Sequence, residues 1–415
     1  MLAGESGRMG GMQNADGGHW PFFTLPRSSR RFFTCMMLIL TTGSAVVADE
    51  FRPPVASALA LSESTPFMVT NPLRSKAQDP KITYHKGNYY YCESSAEGIF
   101  LRVAGDLPGL ADAAAHRIWK PPARGGMSKN VWAPELHILD GRAYIYFAAD
   151  DGKNENHRMG VLVAESDDLL GAYRLAGVMD TGGWAIDGTV LTLDDGKRYF
   201  VWSGWPGKKD GQQNLYISAM KSPVELAGKR VLLKEPDQAW ERHAMPICEG
   251  PQVLRREGRT FLIYSASGSW TADYTLGMLV LDGADPLKRS SWKAAGQVFA
   301  RNEFAYGVGH CDFVRSQDGV EDWIVYHAKT RVENGWDDRE VRAQPFTWDE
   351  RGWPVFGEPV NPVLPLVHPA RSAGARVASV AGSGPSVGAR SEGSAPVADA
   401  LAPSALEEAA RELVN

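Results

Sequence analysis

The sequence predicts an all-β protein whose one domain is a five-bladed β-propeller. Three observations carry the prediction. A unit made of a polar residue, a turn glycine and an aromatic-rich run recurs five times between residues 65 and 362. Its glycines, Gly87, Gly141, Gly196, Gly258 and Gly319, stand 54, 55, 62 and 61 residues apart, room for several strands per repeat. Apolar residues at helical spacing are missing from the same stretch, which argues against a parallel α/β domain.

Each repeat begins with the strand after its glycine. These strands are centred on Tyr89-Tyr90-Tyr91, Tyr144-Ile145-Tyr146-Phe147, Tyr199-Phe200-Val201-Trp202, Phe261-Leu262-Ile263-Tyr264 and Trp323-Ile324-Val325-Tyr326. Aromatic and β-branched residues bounded by Gly or Asp favour extended chain. A second strand-like run follows each one: Phe100 to Val103, Val161 to Ala164, Leu215 to Met220, Met278 to Leu281, and Val341 to Phe346. Blades of this kind bury their faces against one another, so the ring closes only with all five.

The flanks read differently. Arg27, Arg30 and Arg31, an apolar run from Phe32 to Leu40, and the small residues ending at Ala48 have the form of an export signal cleaved before Asp49. The run is too short to span a bilayer as a mature helix. Residues 1–48 are therefore expected to be a leader, 49–66 a linker, 67–362 the propeller and 363–415 a low-complexity, disordered tail. The mature protein is expected outside the cytoplasm, in the periplasm or beyond, acting as a monomer. Cys92, Cys248 and Cys311 remain after the leader, too few for a disulfide framework and with no zinc spacing, and are expected as buried small apolar residues.

Hydrophobic residues make up 44% and charged residues 22%, as in soluble globular proteins. A net charge of −5 with scattered Lys and Arg gives no reason to expect a nucleic-acid or anionic-membrane partner. No phosphate-binding Gly loop, nucleophile elbow or His-rich metal motif is present.

Just before each turn glycine stands an ionisable residue: Asp79, Glu135, Asp187, Glu249 and His310, lying 8, 6, 9, 9 and 9 residues upstream. Singly, each has a plain explanation as a turn, loop or core residue. Equivalent positions in five blades converge on the axis, however, and crowding carboxylates there costs repulsion and desolvation, which points to function. Two carboxylates across a glycosidic bond hydrolyse it, one donating a proton and the other activating water or attacking directly, and a third tunes the acid. The aromatic residues Trp132, Trp184, Trp202, Trp205 and Trp270 share the same register and suit the flat faces of sugars.

At these residues the chain resembles glycoside hydrolase family 43 over about residues 68–362. The matching segments include Ala77-Gln78-Asp79-Pro80, Trp132-Ala133-Pro134-Glu135-Leu136-His137, Ile186-Asp187-Gly188-Thr189, Glu249-Gly250-Pro251, Tyr264-Ser265-Ala266-Ser267, Gly309-His310, and Asp322 to His327 with Arg339 beyond it. The resemblance implies Asp79 as general base, Glu249 as general acid and Asp187 as the residue that tunes and orients the acid. It implies single-displacement inversion, with carboxylates about 6.5–9.5 Å apart. It places Arg339 on the sugar, Trp132, Trp205 and Ser267 on the substrate side, and Glu135 in a structural role. No cofactor is implied for the chemistry, but His310 matches a residue beside an axial ion, often calcium. Gly307-Val308-Gly309-His310 and the following Cys311-Asp312 depart from the family's usual residues at that ion site.

Within the family, the runs Trp132 to His137, Tyr199 to Trp205 and Tyr264 to Trp270 most resemble exo-acting α-L-arabinofuranosidases, with plant cell-wall arabinan or arabinoxylan as substrate. A β-xylosidase or endo-arabinanase on the same machinery, and a non-catalytic sugar-binding propeller, are the alternatives. A fructan-cleaving propeller is disfavoured because its Asn-Asp-Pro-Asn and Arg-Asp-Pro motifs are absent.

Overall fold

The aromatic runs are strands buried on both faces, and this double burial organises the molecule. In the computed structural model, residues 67–368 apart from residue 318 are described. They form five antiparallel blades, each starting at the axis and stepping outward strand by strand. Blade I comprises Lys81–His85, Asn88–Ser95, Gly98–Ala104 and His116–Trp119, and blade II Lys129–Leu139, Arg142–Asp150, Arg158–Ala164 and Tyr173–Val178. Blade III comprises Ala185–Thr192, Arg198–Gly204, Asn214–Ser222 and Val231–Lys234, with a short Glu225–Leu226 strand added to its third strand. Blade IV comprises Cys248–Arg256, Arg259–Ala266, Thr275–Leu281 and Trp292–Phe299, and blade V Tyr306–Arg315, Asp322–Lys329, Arg339–Trp348 and Pro354–Val355. Helix among the described residues is limited to single 3-10 turns.

Each predicted aromatic run is the second strand of its blade, and each following run is the third. The turn glycines sit where a tight inner hairpin needs positive φ. In blades I, II and IV the loops Lys86-Gly87, Asp140-Gly141 and Glu257-Gly258 have two consecutive left-handed residues, which matches the twist of the flanking strands.

Successive side chains of a strand point to opposite faces, so a second strand feeds two cores. Ile145 and Phe147 pack toward blade I, while Tyr146 packs toward blade III. Phe200 and Trp202 face blade II, while Tyr199 and Val201 face blade IV. Five apolar cores result, one between each neighbouring pair of blades, the last joining blade V to blade I through Val69, Tyr89, Trp323 and Val325. Each fully buried side chain of this size contributes roughly 1.5–3 kcal/mol. Cys92, Cys248 and Cys311 are free thiols within this packing.

Ring closure uses the chain ahead of blade I. The Asn71 side chain bonds both backbone groups of Ala343, at 2.9 and 2.8 Å. Arg74 and Val341 exchange backbone hydrogen bonds, and the Ala77 N–H donates to Arg339 O at 3.1 Å. Outside these, Phe67–Val69 pairs antiparallel with Leu366–His368. The paired strand Leu366–His368 lies past the boundary expected at 362. The leader, the linker and the tail beyond 368 lie outside the described residues.

Candidate active site

The five inner strands share a kink. Asp79, Ala133, Asp187, Gly250 and His310 all have φ between 41° and 55°. A left-handed conformation costs a non-glycine residue roughly 1–2 kcal/mol, and four of these five bear it. In blades II to V the kink coincides with a break in strand register, a bulge that re-aims side chains. Aligned on the kink, the inner strands sort their residues into layers, and this corrects the phase read from the sequence. Asp79, Asp187 and His310 are equivalent. Glu249 stands one residue earlier, at the mouth, and Glu135 two residues later, deeper along the axis.

The mouth opens into a cavity of about 480 Å³ lined by Asp79, Asp187, Glu249 and His310, together with Trp132, Trp184, Trp270, Trp336 and Arg339. Trp132 is 39% exposed and stacks on His157 with ring centres 4.0 Å apart. Trp270 and Trp336 meet edge to face at 5.6 Å, and the Trp336 indole N–H donates to Ser269 Oγ at 3.2 Å. The loop bearing Trp336 is anchored from below by the Lys329–Asp338 ion pair and by Lys329 donating to Gly335 O.

Asp79 is surrounded by groups that favour its charge. His310 Nδ1 lies 3.3 Å and His327 Nδ1 3.2 Å from its Oδ1, and an Arg339 guanidinium nitrogen lies 3.7 Å away. Burial raises its pKa, but His310, His327 and Arg339 outweigh that and hold it well below the usual carboxylate range. His327 is fully buried and stays neutral, its pKa pushed down to about 4 by desolvation.

Glu249 and Asp187 are shifted the other way. Burial raises Glu249 to about 7, with the Asp79 charge adding to the shift and the Tyr274 hydrogen bond opposing it. Tyr274 donates its hydroxyl to Glu249 Oε1 at 2.9 Å. Its ring fills the space a side chain at residue 309 would need, since a Cβ there would come within 2.2 Å of it. Burial raises Asp187 as well, joined by Glu249 and Asp79 and opposed by His310. The Gly250 N–H donates to Asp187 Oδ2 at 3.0 Å, tying Asp187 to the strand that carries Glu249.

Two expected substrate contacts lie behind the wall. Trp205 is buried and stacks on Trp184 at 4.7 Å, so Trp184 rather than Trp205 reaches the cavity. Ser267 is buried too, its Oγ accepting the His243 N–H and donating to Trp240 O, both at 2.9 Å. Trp202 likewise belongs to the core. Sequence reasoning missed Trp336, Tyr274 and the contact of His327 with Asp79. His327 lay within a matching motif, whereas Trp336 sits in a loop outside the repeat.

The axial ion expected beside His310 would have few protein ligands to draw on. Among the described residues no three His, Cys, Asp or Glu side chains converge on one point as ligands. His310 turns its Nδ1 to Asp79, and the axis beneath holds the Lys81 ammonium.

A family model, glycosyl hydrolases family 43, matches residues 69–354. An extracellular exo-alpha-(1->5)-L-arabinofuranosidase of Streptomyces avermitilis is 34% identical over 353 residues, covering 80% of this chain and 71% of its own. Alpha-L-arabinofuranosidase 43 of Humicola insolens is 33% identical over 73% of this chain and 66% of its own. The crystal structure of an alpha-L-arabinofuranosidase from Lactobacillus brevis superposes with a TM-score of 0.67 at 36% identity, covering 70% of this chain and 97% of that one.

Proposed function

The chain belongs to glycosyl hydrolases family 43, and from that premise we propose that it is an exo-acting α-L-arabinofuranosidase working by inversion. The observation that carries the chemistry is the opposed charge state of two carboxylates in one cavity. Asp79 is held ionised, and Glu249, raised to about 7, keeps its proton below neutral pH. That is the pairing a base and an acid need to work at the same pH.

In the proposed reaction Glu249 gives its proton to the glycosidic oxygen as the bond to the anomeric carbon breaks. Asp79 takes a proton from a water whose oxygen forms the new bond from the opposite face. The base ends protonated and the acid ionised, and exchange with solvent resets both. Asp187 holds the Glu249 strand in place and resists a second ionisation beside it. Arg339 keeps Asp79 anionic and faces the cavity, where a sugar hydroxyl suits it. Trp132, Trp270 and Trp336 offer apolar faces to the sugar ring.

The names of the relatives support arabinofuranosides as substrate, with arabinose-bearing cell-wall polysaccharide or its oligosaccharides as the source. The basic-then-apolar leader and a relative named as extracellular support export. Aryl glycosides of α-L-arabinofuranose, β-D-xylose and β-D-galactofuranose, with the released anomer followed by NMR, test this reading. Cleavage of the arabinofuranoside with the β-anomer appearing first is expected. An inert arabinofuranoside, or the α-anomer first, overturns it.

A further inference from the structure

Directly beneath the three carboxylates a second polar layer closes the axis. Lys81, Glu135, Thr189, Gln252 and Asp312 come one from each inner strand, each two residues past the kink. Lys81 is the only formal cation of the five, and its side chain is 12% exposed. Its Nζ donates to Gln252 Oε1 and to Asp312 Oδ1, both at 3.0 Å, and lies 3.8 Å from Glu135 Oε2. Every oxygen of the two carboxylates has a partner. Asp312 Oδ2 accepts the Ile82 N–H at 2.7 Å, and Glu135 is bonded by the Gln252 amide and, at 2.8 Å, by His137.

Two carboxylates at this depth need a cation, because an uncompensated buried charge is strongly destabilising. In a propeller whose axis holds an exchangeable ion, a divalent metal meets that need. Here the cation is already attached to the backbone two residues from Asp79. A second cation at the same level would be repelled by the ammonium and would find the oxygens already engaged.

We infer that the Lys81 ammonium is the resident cation of this axis, so that the protein folds and works without a bound divalent metal. The departures at Gly307-Val308-Gly309-His310 and Cys311-Asp312 fit this inference. Asp312, which follows His310 by two residues, is spent on Lys81 and on blade I. Burial opposes the Lys81 charge, but Asp312 and Glu135 more than offset it and hold its pKa above the ordinary lysine value.

The test uses the full chain, stripped with EDTA and then supplied with calcium chloride, and reads metal content by mass spectrometry alongside the melting midpoint. The inference expects substoichiometric metal and an unchanged midpoint in both conditions. Stoichiometric calcium in the purified protein, or a midpoint that EDTA lowers and calcium restores, overturns it. A second arm compares Lys81→Met with Lys81→Met/Asp312→Asn. The single variant is expected to melt on the order of 5–10 °C lower, as when one partner of a buried ion pair is lost. The double variant is expected to recover part of that by removing the stranded carboxylate. A single variant that melts like the wild type, or a double variant no better than the single, overturns the charge-balancing role. If the single variant does not fold, the wild-type arm decides alone.

Discussion

Asp79 and Glu249 are both carboxylates, and their neighbours alone separate their behaviour. His310, His327 and Arg339 crowd Asp79, while Glu249 is buried, bonded by the Tyr274 hydroxyl and raised by the Asp79 charge. Glu249→Gln is expected to lower kcat on an alkyl arabinofuranoside on the order of 10²-fold or more, and much less on a dinitrophenyl one, whose leaving group needs no proton. Asp79→Ala is expected to lose as much on both, since the water still lacks a base. Steady-state kinetics with the two leaving groups reads the difference. The pH profile has a stated direction. The working form needs Glu249 protonated, so kcat/KM is expected to fall as pH rises through about 7. Asp79 stays ionised far below that, so no acid limb is expected near pH 5. At this scale the sequence marked Asp79, Asp187, Glu249 and Arg339 through their motifs. It did not separate Trp184, at the cavity, from Trp205 stacked behind it, because both are tryptophans in the same repeat and only the third dimension orders them.

Among the elements, the inner hairpins were the most legible. A left-handed glycine and a period-2 run of aromatic residues are local signals, and they survive whatever the rest of the chain does. The kink in each inner strand was not legible. A bulge adds a residue to one strand only, so counting back from the turn glycine misplaces Glu249 by one position and Glu135 by two. The ring-closing segment from Val69 to Ala77 was also invisible, since its partner strand lies far along the chain, with Asn71 bonding Ala343 272 residues away. That segment bears on stability. Asn71→Ala strands both backbone groups of Ala343 and is expected to cost about 1–3 kcal/mol. A lower urea midpoint with unchanged slope is the reading that checks it.

For the whole molecule, three carboxylates on one axis make stability depend on pH in a direction that the shifts determine. Asp187 and Glu249 are raised, to about 8 and about 7, from ordinary values of 3.8 and 4.5. Between those limits these two carboxylates bind more protons folded than unfolded and lower stability as pH rises from about 4 to 8, while His327, pushed down to about 4 from 6.5, opposes that trend only below about 6.5. Asp79 is depressed, so its contribution is complete above its ordinary value of 3.8 and is lost only as pH falls below it. The melting temperature is therefore expected to be higher at pH 5 than at pH 8. Asp187→Asn is expected to flatten that decline and to raise the midpoint by a few degrees at pH 8 while lowering activity, the trade expected where a site is held against its own charge. Differential scanning calorimetry at the two pH values measures both.

The sequence by itself determined the number of blades, the second and third strand of each, and the acids of the site, because turn chemistry, strand alternation and short motifs are carried by neighbouring residues. Only the tertiary structure decided which aromatic residues reach the cavity, where Glu135 and Glu249 stand along the axis, how the ring closes, and that Lys81 meets Asp312 and Glu135. Each of these depends on side chains from different blades meeting at one point. Such meetings follow from bulges and packing across hundreds of residues, which spacing along the chain does not record.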